Sequence, residues 1–133
     1  MNHFSQIAAR LEQYDLDAVL LTEEANRFYA SGFHSAGTDG AALVTRRGAW
    51  YFTDSRYIEA AERYVQDARI AEVRPGRGYS VLIEEVVKEE GIARLGFEDA
   101  YMTVRDHGFY AKALSCELVP ATELLWGLRS VKS

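Results

Sequence analysis

Cysteine is almost absent from this sequence: Cys116 is the only one among 133 residues. A single cysteine excludes an intrachain disulfide, which fits the reducing cytosol, so we expect a cytoplasmic location. Long apolar runs are missing too. No stretch approaches the ~20 residues that cross a bilayer, and residues 1–14 lack the apolar core of a signal peptide. We therefore expect no membrane contact.

Positive charge is scarce. The chain has 15 Lys and Arg against 20 Asp and Glu, which gives a formal charge of −5, and Arg46-Arg47 is the only adjacent basic pair. Nucleic-acid binding needs clustered cations that replace condensed counterions. We therefore expect no nucleic-acid partner.

Catalytic patterns are missing as well. The three histidines, His3, His34 and His107, fall in different predicted elements and form no His-Glu-x-x-His or His-x-His arrangement. A metal that activates water needs several His and carboxylate ligands that converge on it. The sequence also contains no Gly-x-Ser-x-Gly nucleophile motif. We expect no metal site, no catalytic residue and no cofactor within this chain.

The composition is that of an ordinary globular domain, with 48% hydrophobic and 26% charged residues in a chain of one-domain length. Short apolar runs alternate with segments whose apolar residues recur at helical spacing. The predicted strands are residues 18–21, 41–45, 50–53, 68–73, 94–97 and 117–119. The predicted helices are residues 1–14, 26–31, 57–65, 80–90, 103–114 and 120–128.

This alternation predicts an α/β fold, a three-layer α/β/α domain with a mixed, mostly parallel sheet of five or six strands. The turn at residues 46–49 predicts one antiparallel hairpin. We expect helix N-caps at Thr22, at Asp54 or Ser55, at Ser80 and at Thr103. No internal repeat or linker interrupts residues 1–128, so we expect one domain.

Two short motifs stand out, NRFYASGF at residues 26–33 and TDSRY at residues 53–57. In the first motif, Phe28 and Tyr29 are predicted to lie in the core. Arg27 is predicted to lie at a subunit interface or to support the scaffold.

The second motif has a structural interpretation of its own. Asp54 is predicted to accept hydrogen bonds from free amides at a helix start, and Tyr57 to bury its ring against the sheet. Arg56 is expected to pair with Asp54 or with a partner subunit. We favour a scaffold role for this motif over substrate contact.

Together with LGFE at residues 95–98, these motifs resemble the amino-terminal domain of the creatinase/prolidase family, the "pita-bread" metallopeptidases. That family includes Xaa-Pro dipeptidase and Xaa-Pro aminopeptidase. The resemblance implies that residues 1–128 form a non-catalytic domain and that residues 129–133 begin a linker to a catalytic domain absent from this chain.

What the resemblance implies for the parent protein is a homodimer that hydrolyses the bond preceding proline in short peptides. The catalytic domain would carry two divalent metal ions, typically manganese, held by two Asp, one His and two Glu. The amino-terminal domain would mediate subunit association and narrow access to a neighbouring active site.

The loop at residues 33–40 is the best candidate for a functional segment, because Gly32, Gly37 and Gly40 make its backbone adaptable. In the resembled family this loop projects toward the active site of the neighbouring subunit. Carried over by position, Phe33, His34 and Asp39 would line the rim of that site. The creatinase version of the loop uses an arginine, and residues 33–40 contain none.

Two alternatives stay open. The chain could be a free-standing protein- or peptide-binding module of the same fold, as in inactive relatives within a histone-chaperone subunit. It could also be the amino-terminal domain of a creatinase-type hydrolase. The residues leave the preferred peptide, its length and the metal undetermined.

Overall fold

The computed structural model describes residues 2–130 and places six α-helices, one short 3-10 helix (Glu12–Tyr14) and six strands there. The helices are α1 (Phe4–Leu11), α2 (Glu24–Ser31), α3 (Ile58–Tyr64), α4 (Tyr79–Glu90), α5 (Val104–Ala113) and α6 (Thr122–Arg129). The strands are β1 (Ala18–Leu21), β2 (Gly40–Thr45), β3 (Ala49–Thr53), β4 (Arg69–Glu72), β5 (Arg94–Phe97) and β6 (Glu117–Pro120). None of the helices within residues 2–130 combines the length and apolarity needed to cross a bilayer.

The strands form one sheet in the order β4-β3-β2-β1-β5-β6. The pairs β3–β4, β1–β5 and β5–β6 are parallel, and β2–β3 is the predicted hairpin. The prediction of a mixed, mostly parallel sheet of five or six strands with a hairpin is therefore confirmed.

One pairing differs from the sequence-based expectation: β1 and β2 are antiparallel although a helix lies between them. After α2 the chain returns to the edge where β1 ended, and β2 runs back beside β1. Arg27 on α2 bridges this return, because it donates hydrogen bonds to the carbonyl of Thr22, just after β1, and to that of Gly40, the first residue of β2.

Helices cover both faces of the sheet, as the three-layer prediction requires. Alternate residues of β1 serve the two cores, since Val19 and Leu21 join one cluster while Ala18 and Leu20 join the other. The first cluster packs against α1, α2, α3 and α6, and the second packs against α4 and the end of α5.

The N-cap predictions are mixed. Thr103 caps α5 as expected, with its hydroxyl accepting from the amide of Asp106 at 3.1 Å. The Thr22 prediction is wrong, because the hydroxyl of Thr22 donates to Glu98 and the carboxylate of Glu23 caps α2 instead.

The predictions of a cap at Ser80 and of a cap at Asp54 or Ser55 are also wrong. Helix α4 begins at Tyr79, one residue before Ser80, after Gly78. Helix α3 has Tyr57 at its N-cap position and no side-chain cap, while Asp54 accepts from the amide of Arg56 in the turn before the helix.

The last helix starts later than predicted, because Pro120 pairs with Phe97 at the end of β6. Its apolar face is as expected, with Leu124, Leu125 and Leu128 buried. Arg129 is its last residue, one beyond the predicted domain boundary at 128. Residues 131–133 of the predicted linker lie outside the described residues.

Candidate functional site

The segment that connects α2 to β2, residues 32–39, is the place where the two sequence motifs meet; we call it the α2–β2 loop. The first motif supplies Arg27 and the beginning of the loop. The second supplies Thr53, Arg56 and Tyr57, which reach the loop from the end of β3 and the turn after it. The two motifs lie about 25 residues apart in the sequence, and the β2–β3 hairpin brings them together.

Arg27 holds the loop from beneath. Its side chain is 1% exposed and donates to the carbonyls of Thr22 (2.8 Å), Gly37 (2.7 Å), Gly40 (3.0 Å) and Ser35. Three of these four carbonyls belong to the loop or to the residue that ends it. The Arg27 guanidinium is thus enclosed by carbonyls of its own chain, most of them in the loop that it holds.

No carboxylate forms an ion pair with Arg27 within residues 2–130, so carbonyl dipoles balance its charge. Four neutral acceptors around one buried cation give charge-assisted hydrogen bonds with directional geometry. The conformation of the loop backbone is thus tied to one side chain.

Gly40 leaves the space that this arrangement needs. A Cβ atom there would lie 2.5 Å from the Ser35 hydroxyl oxygen and 2.9 Å from the Tyr51 hydroxyl oxygen. Those two hydroxyls are hydrogen-bonded to each other at 2.6 Å. Glycine is therefore required at position 40 by the close approach of these side chains, and not by a positive φ.

Glu98 is a buried residue whose role sequence reasoning missed. Its carboxylate accepts from the amide (2.7 Å) and hydroxyl (2.8 Å) of Thr22, from the amide of Glu23 (3.1 Å) and from the side-chain amide of Asn26 (2.8 Å). It thus fixes the start of α2 on the end of β5. A carboxylate directly after an apolar strand, together with an Asn in the first motif, was the available signal.

Arg56 holds the loop from its outer side. Its guanidinium contacts the carboxylates of Asp39 and Asp54, each at 2.7 Å, and remains 64% exposed. The predicted pairing of Arg56 with Asp54 is present, and Asp39 joins it. The hydrogen bond from Arg56 lowers the pKa of the Asp54 carboxyl, so the ion pair persists to a lower pH than it would with an ordinary Asp.

Tyr57 and Thr53 add two weaker ties. The Tyr57 hydroxyl accepts from the amide of Ala36 at 3.4 Å, and the Thr53 hydroxyl donates to the carbonyl of Asp39 at 2.6 Å. The Tyr57 ring is half-buried. Each residue of the second motif that contacts the loop therefore does so through a polar atom.

The three residues assigned to the rim have different environments. Phe33 is half-buried, and its ring lies edge-on to that of Tyr51, with ring centroids 5.7 Å apart. The carboxylate of Asp39 forms an ion pair with Arg56. His34 is exposed and stacks on Phe28, with ring centroids 4.0 Å apart. Of the three, His34 presents its side chain to solvent.

The prediction that Phe28 lies in the core is wrong, because its side chain is 41% exposed. The buried face of α2 consists instead of Asn26, Arg27, Ala30 and Ser31. Helix α2 turns polar residues inward because they anchor the loop and Glu98, so hydrophobicity alone gives the wrong orientation.

A cavity of about 580 Å³ opens beside the Phe28–His34 pair. Its lining includes Tyr29 and Arg129, and Arg129 donates to the Asn26 side chain at 2.8 Å. The end of α6, where the described chain stops, therefore lies beside the exposed imidazole.

Within residues 2–130, no three His, Cys, Asp or Glu side chains come together as potential metal ligands.

The model of the creatinase/prolidase N-terminal domain matches residues 4–131. The chain belongs to this family. A creatinase/prolidase N-terminal domain accounts for both motifs and for the strand–helix order, so the resemblance read from the sequence is confirmed.

Relatives of this creatinase/prolidase N-terminal domain are peptidases. It is 35% identical over 122 residues to an uncharacterized peptidase, YqhT, of Bacillus subtilis (strain 168), covering 91% of this chain and 33% of the relative. Among solved structures, Xaa-Pro dipeptidase from Bacillus anthracis is 29% identical, with a TM-score of 0.86, covering 98% of this chain and 36% of that one.

The structure of a third relative is that of an N-terminal domain on its own. The N-terminal domain of cytoplasmic peptidase PepQ from Mycobacterium tuberculosis H37Rv is 30% identical, with a TM-score of 0.82, covering 96% of this chain and 98% of that one. The chain thus spans about a third of the two longer relatives and nearly all of the isolated domain.

Proposed function

We propose that this domain belongs to a cytoplasmic, homodimeric Xaa-Pro peptidase, in which it mediates subunit association and shapes access to the active site of a neighbouring subunit. Hydrolysis of proline-containing peptides would be the work of a separate catalytic domain with two divalent ions, manganese by our proposal. The similarity to Xaa-Pro dipeptidase and to the PepQ domain supports this assignment.

The observation that carries the access role is the fixed shape of the α2–β2 loop. Arg27 binds its carbonyls from beneath, and Arg56 binds Asp39 from outside. A loop that is already ordered loses little conformational entropy when it meets a peptide or a second subunit. It can therefore present His34 at a defined position.

His34 is the side chain that we propose contacts the substrate. Its imidazole is exposed, and stacking on Phe28 limits its orientations. An imidazole held in this way can hydrogen-bond a peptide carbonyl or amide through either ring nitrogen.

The test is His34→Ala in the full-length enzyme, assayed with Xaa-Pro dipeptides and tripeptides. We expect KM to rise roughly three- to tenfold, as for the loss of one or two hydrogen bonds, with kcat and Tm little changed. Glu59→Ala, an exposed change on α3, is the matched control. Unaltered KM for every substrate would remove the loop from the access role.

Subunit association has its own test. Phe28 is 41% exposed beside the loop, and we propose that a second subunit covers it. Phe28→Ser should shift the full-length protein from dimer toward monomer in sedimentation equilibrium. Tyr64→Ser, which changes an aromatic that is 65% exposed on α3, should not. Equal behaviour of the two variants would contradict this placement.

A further inference from the structure

A second cavity, of about 540 Å³, opens at the carboxyl ends of β1 and β5; we call it the edge cleft. Its size falls in the range of small-molecule sites, roughly 300 to 1,000 Å³. The lining residues used below are Glu23, Glu24, Gly37, Tyr79, Asp106 and Tyr110. The loop forms one side, and α5 with the start of α4 forms the other.

The topology of the sheet explains why a cleft lies here. Strands β1 and β5 are parallel neighbours. The chain leaves β1 into α2, which packs on one face of the sheet, and leaves β5 toward α5, whose end packs on the other face. Where two such connections diverge, a crevice opens outside the carboxyl ends of the strands, and ligands of open α/β sheets bind in such crevices.

The walls of the cleft are aromatic. Tyr79 and Tyr110 are half-buried, and neither hydroxyl hydrogen-bonds to another residue between 2 and 130. Burial raises the pKa of Tyr79 to about 12 and raises that of Tyr110, so both phenols stay protonated in neutral solution. The rings supply electron-rich faces, and the hydroxyls are free to bind a ligand.

The charged side chains that line the cleft are all acidic, while the buried guanidinium of Arg27 lies behind the lining, hydrogen-bonded to the carbonyls of Gly37 and Gly40. Glu23, Glu24 and Asp106 line the cleft, and no Lys, Arg or His does so among the described residues. Glu24 also accepts from the amide of Gly37 at 3.2 Å, which ties this carboxylate to the loop. The side chain of Asp106 forms no ion pair with any residue from 2 to 130.

We propose that the edge cleft binds an organic ammonium group, with the charge held by the rim carboxylates and the attached carbon chain packed on Tyr79 and Tyr110. Carboxylates attract the cation, aromatic faces add a cation–π contribution, and the apolar walls cover the alkyl part. The site lies within this domain and does not depend on the proposed access role. A peptide amino terminus and a lysine side chain share this chemistry.

The experiment uses the ¹⁵N-labelled 133-residue chain, because a relative of matching length exists as a separate domain. Four probes are titrated: Ala-Pro-Ala amide, its N-acetylated form, N-acetyl-lysine methylamide and N-acetyl-norleucine methylamide. We expect saturable amide shifts at the cleft with an ammonium probe and none with the neutral partner of that probe. A response to Ala-Pro-Ala amide would indicate that the cleft binds a peptide amino terminus, and a response to N-acetyl-lysine methylamide would indicate that it binds a lysine side chain.

Variants show whether binding depends on the carboxylates of the cleft or on the net negative charge of the whole protein. Glu24→Gln and Asp106→Asn should each weaken binding roughly two- to fivefold, the range for one exposed ion pair. Glu62→Gln, an exposed carboxylate on α3, should not weaken it. Because glutamine can still accept from the Gly37 amide, the loop should stay folded, which Tm will verify.

Three results would overturn the proposal. The first is no saturable shift with either ammonium probe at millimolar concentration. The second is equal binding of the neutral partners, and the third is an equal loss with Glu62→Gln. Failure here would leave the access role intact, because His34 lies outside the lining of the edge cleft.

Discussion

Replacing Arg27 with methionine removes the hydrogen bonds that hold the α2–β2 loop while keeping most of the side-chain volume. Four carbonyls lose their donor, and two of them belong to the buried residues Ser35 and Gly40. A buried acceptor left unpaired costs about 1–3 kcal/mol. The carbonyl of exposed Gly37 can bind water instead, so its loss costs little.

The net destabilisation from Arg27→Met should be about 3 kcal/mol, because the relief of a desolvated charge offsets part of the loss. For a domain of this length we expect Tm to fall by roughly 10 °C. Urea unfolding of the 133-residue chain measures the free energy, with the m-value reporting whether the unfolding remains two-state.

Two further variants sharpen the result. Arg63→Met, an exposed arginine on α3, should change stability by less than about 0.5 kcal/mol. Arg27→Lys keeps the charge but lacks the planar fork that reaches several carbonyls at once, so it should fall between wild type and Arg27→Met. A stability of Arg27→Met within about 0.5 kcal/mol of wild type would show that Arg27 does not hold the loop.

Two other predictions concern single contacts. Gly40→Ala should cost about 2 kcal/mol in urea unfolding, because its Cβ would lie 2.5 Å from the Ser35 hydroxyl, whereas Gly48→Ala, which meets no atom within 4 Å, should be nearly neutral. Asp17→Asn should lower stability at pH 7 by less than about 1 kcal/mol, since amide hydrogen bonds, first that of Arg94, lower the pKa of Asp17 in the folded state. A carboxyl whose pKa is lower in the folded state stabilises the protein at pH values above its pKa in the unfolded state. The difference in stability between Asp17→Asn and wild type should therefore shrink as the pH falls below about 4. Equal effects of Gly40→Ala and Gly48→Ala would contradict the first prediction. A difference between Asp17→Asn and wild type that stays constant as the pH falls would contradict the second.

Much of the architecture was accessible from local pattern. Each predicted strand exists within a residue or two of its expected bounds, because apolar runs of strand length between turn signals carry that information locally. The Thr103 cap was accessible for the same reason, since a cap and the amide it accepts from lie three residues apart. Order and spacing of the two motifs were enough to indicate the family.

Two of the errors have a common origin. Thr22 resembles an N-cap, yet its hydroxyl donates to Glu98, 76 residues away in sequence. Phe28 is hydrophobic, yet the inward face of α2 is taken by polar residues that bind distant backbone. Local propensity gives no weight to partners at that separation.

The amino-acid sequence by itself determined the strand and helix order, the family, and the position of the loop with His34 on it. Tertiary structure alone decided that Arg27 lies buried among carbonyls, that β2 runs antiparallel to β1, and that the connections after β1 and β5 part around a cleft. These features depend on hydrogen bonds and packing between segments far apart in the chain. Contacts of this kind produce no periodic pattern in the sequence, so they can be recognised only in the folded structure.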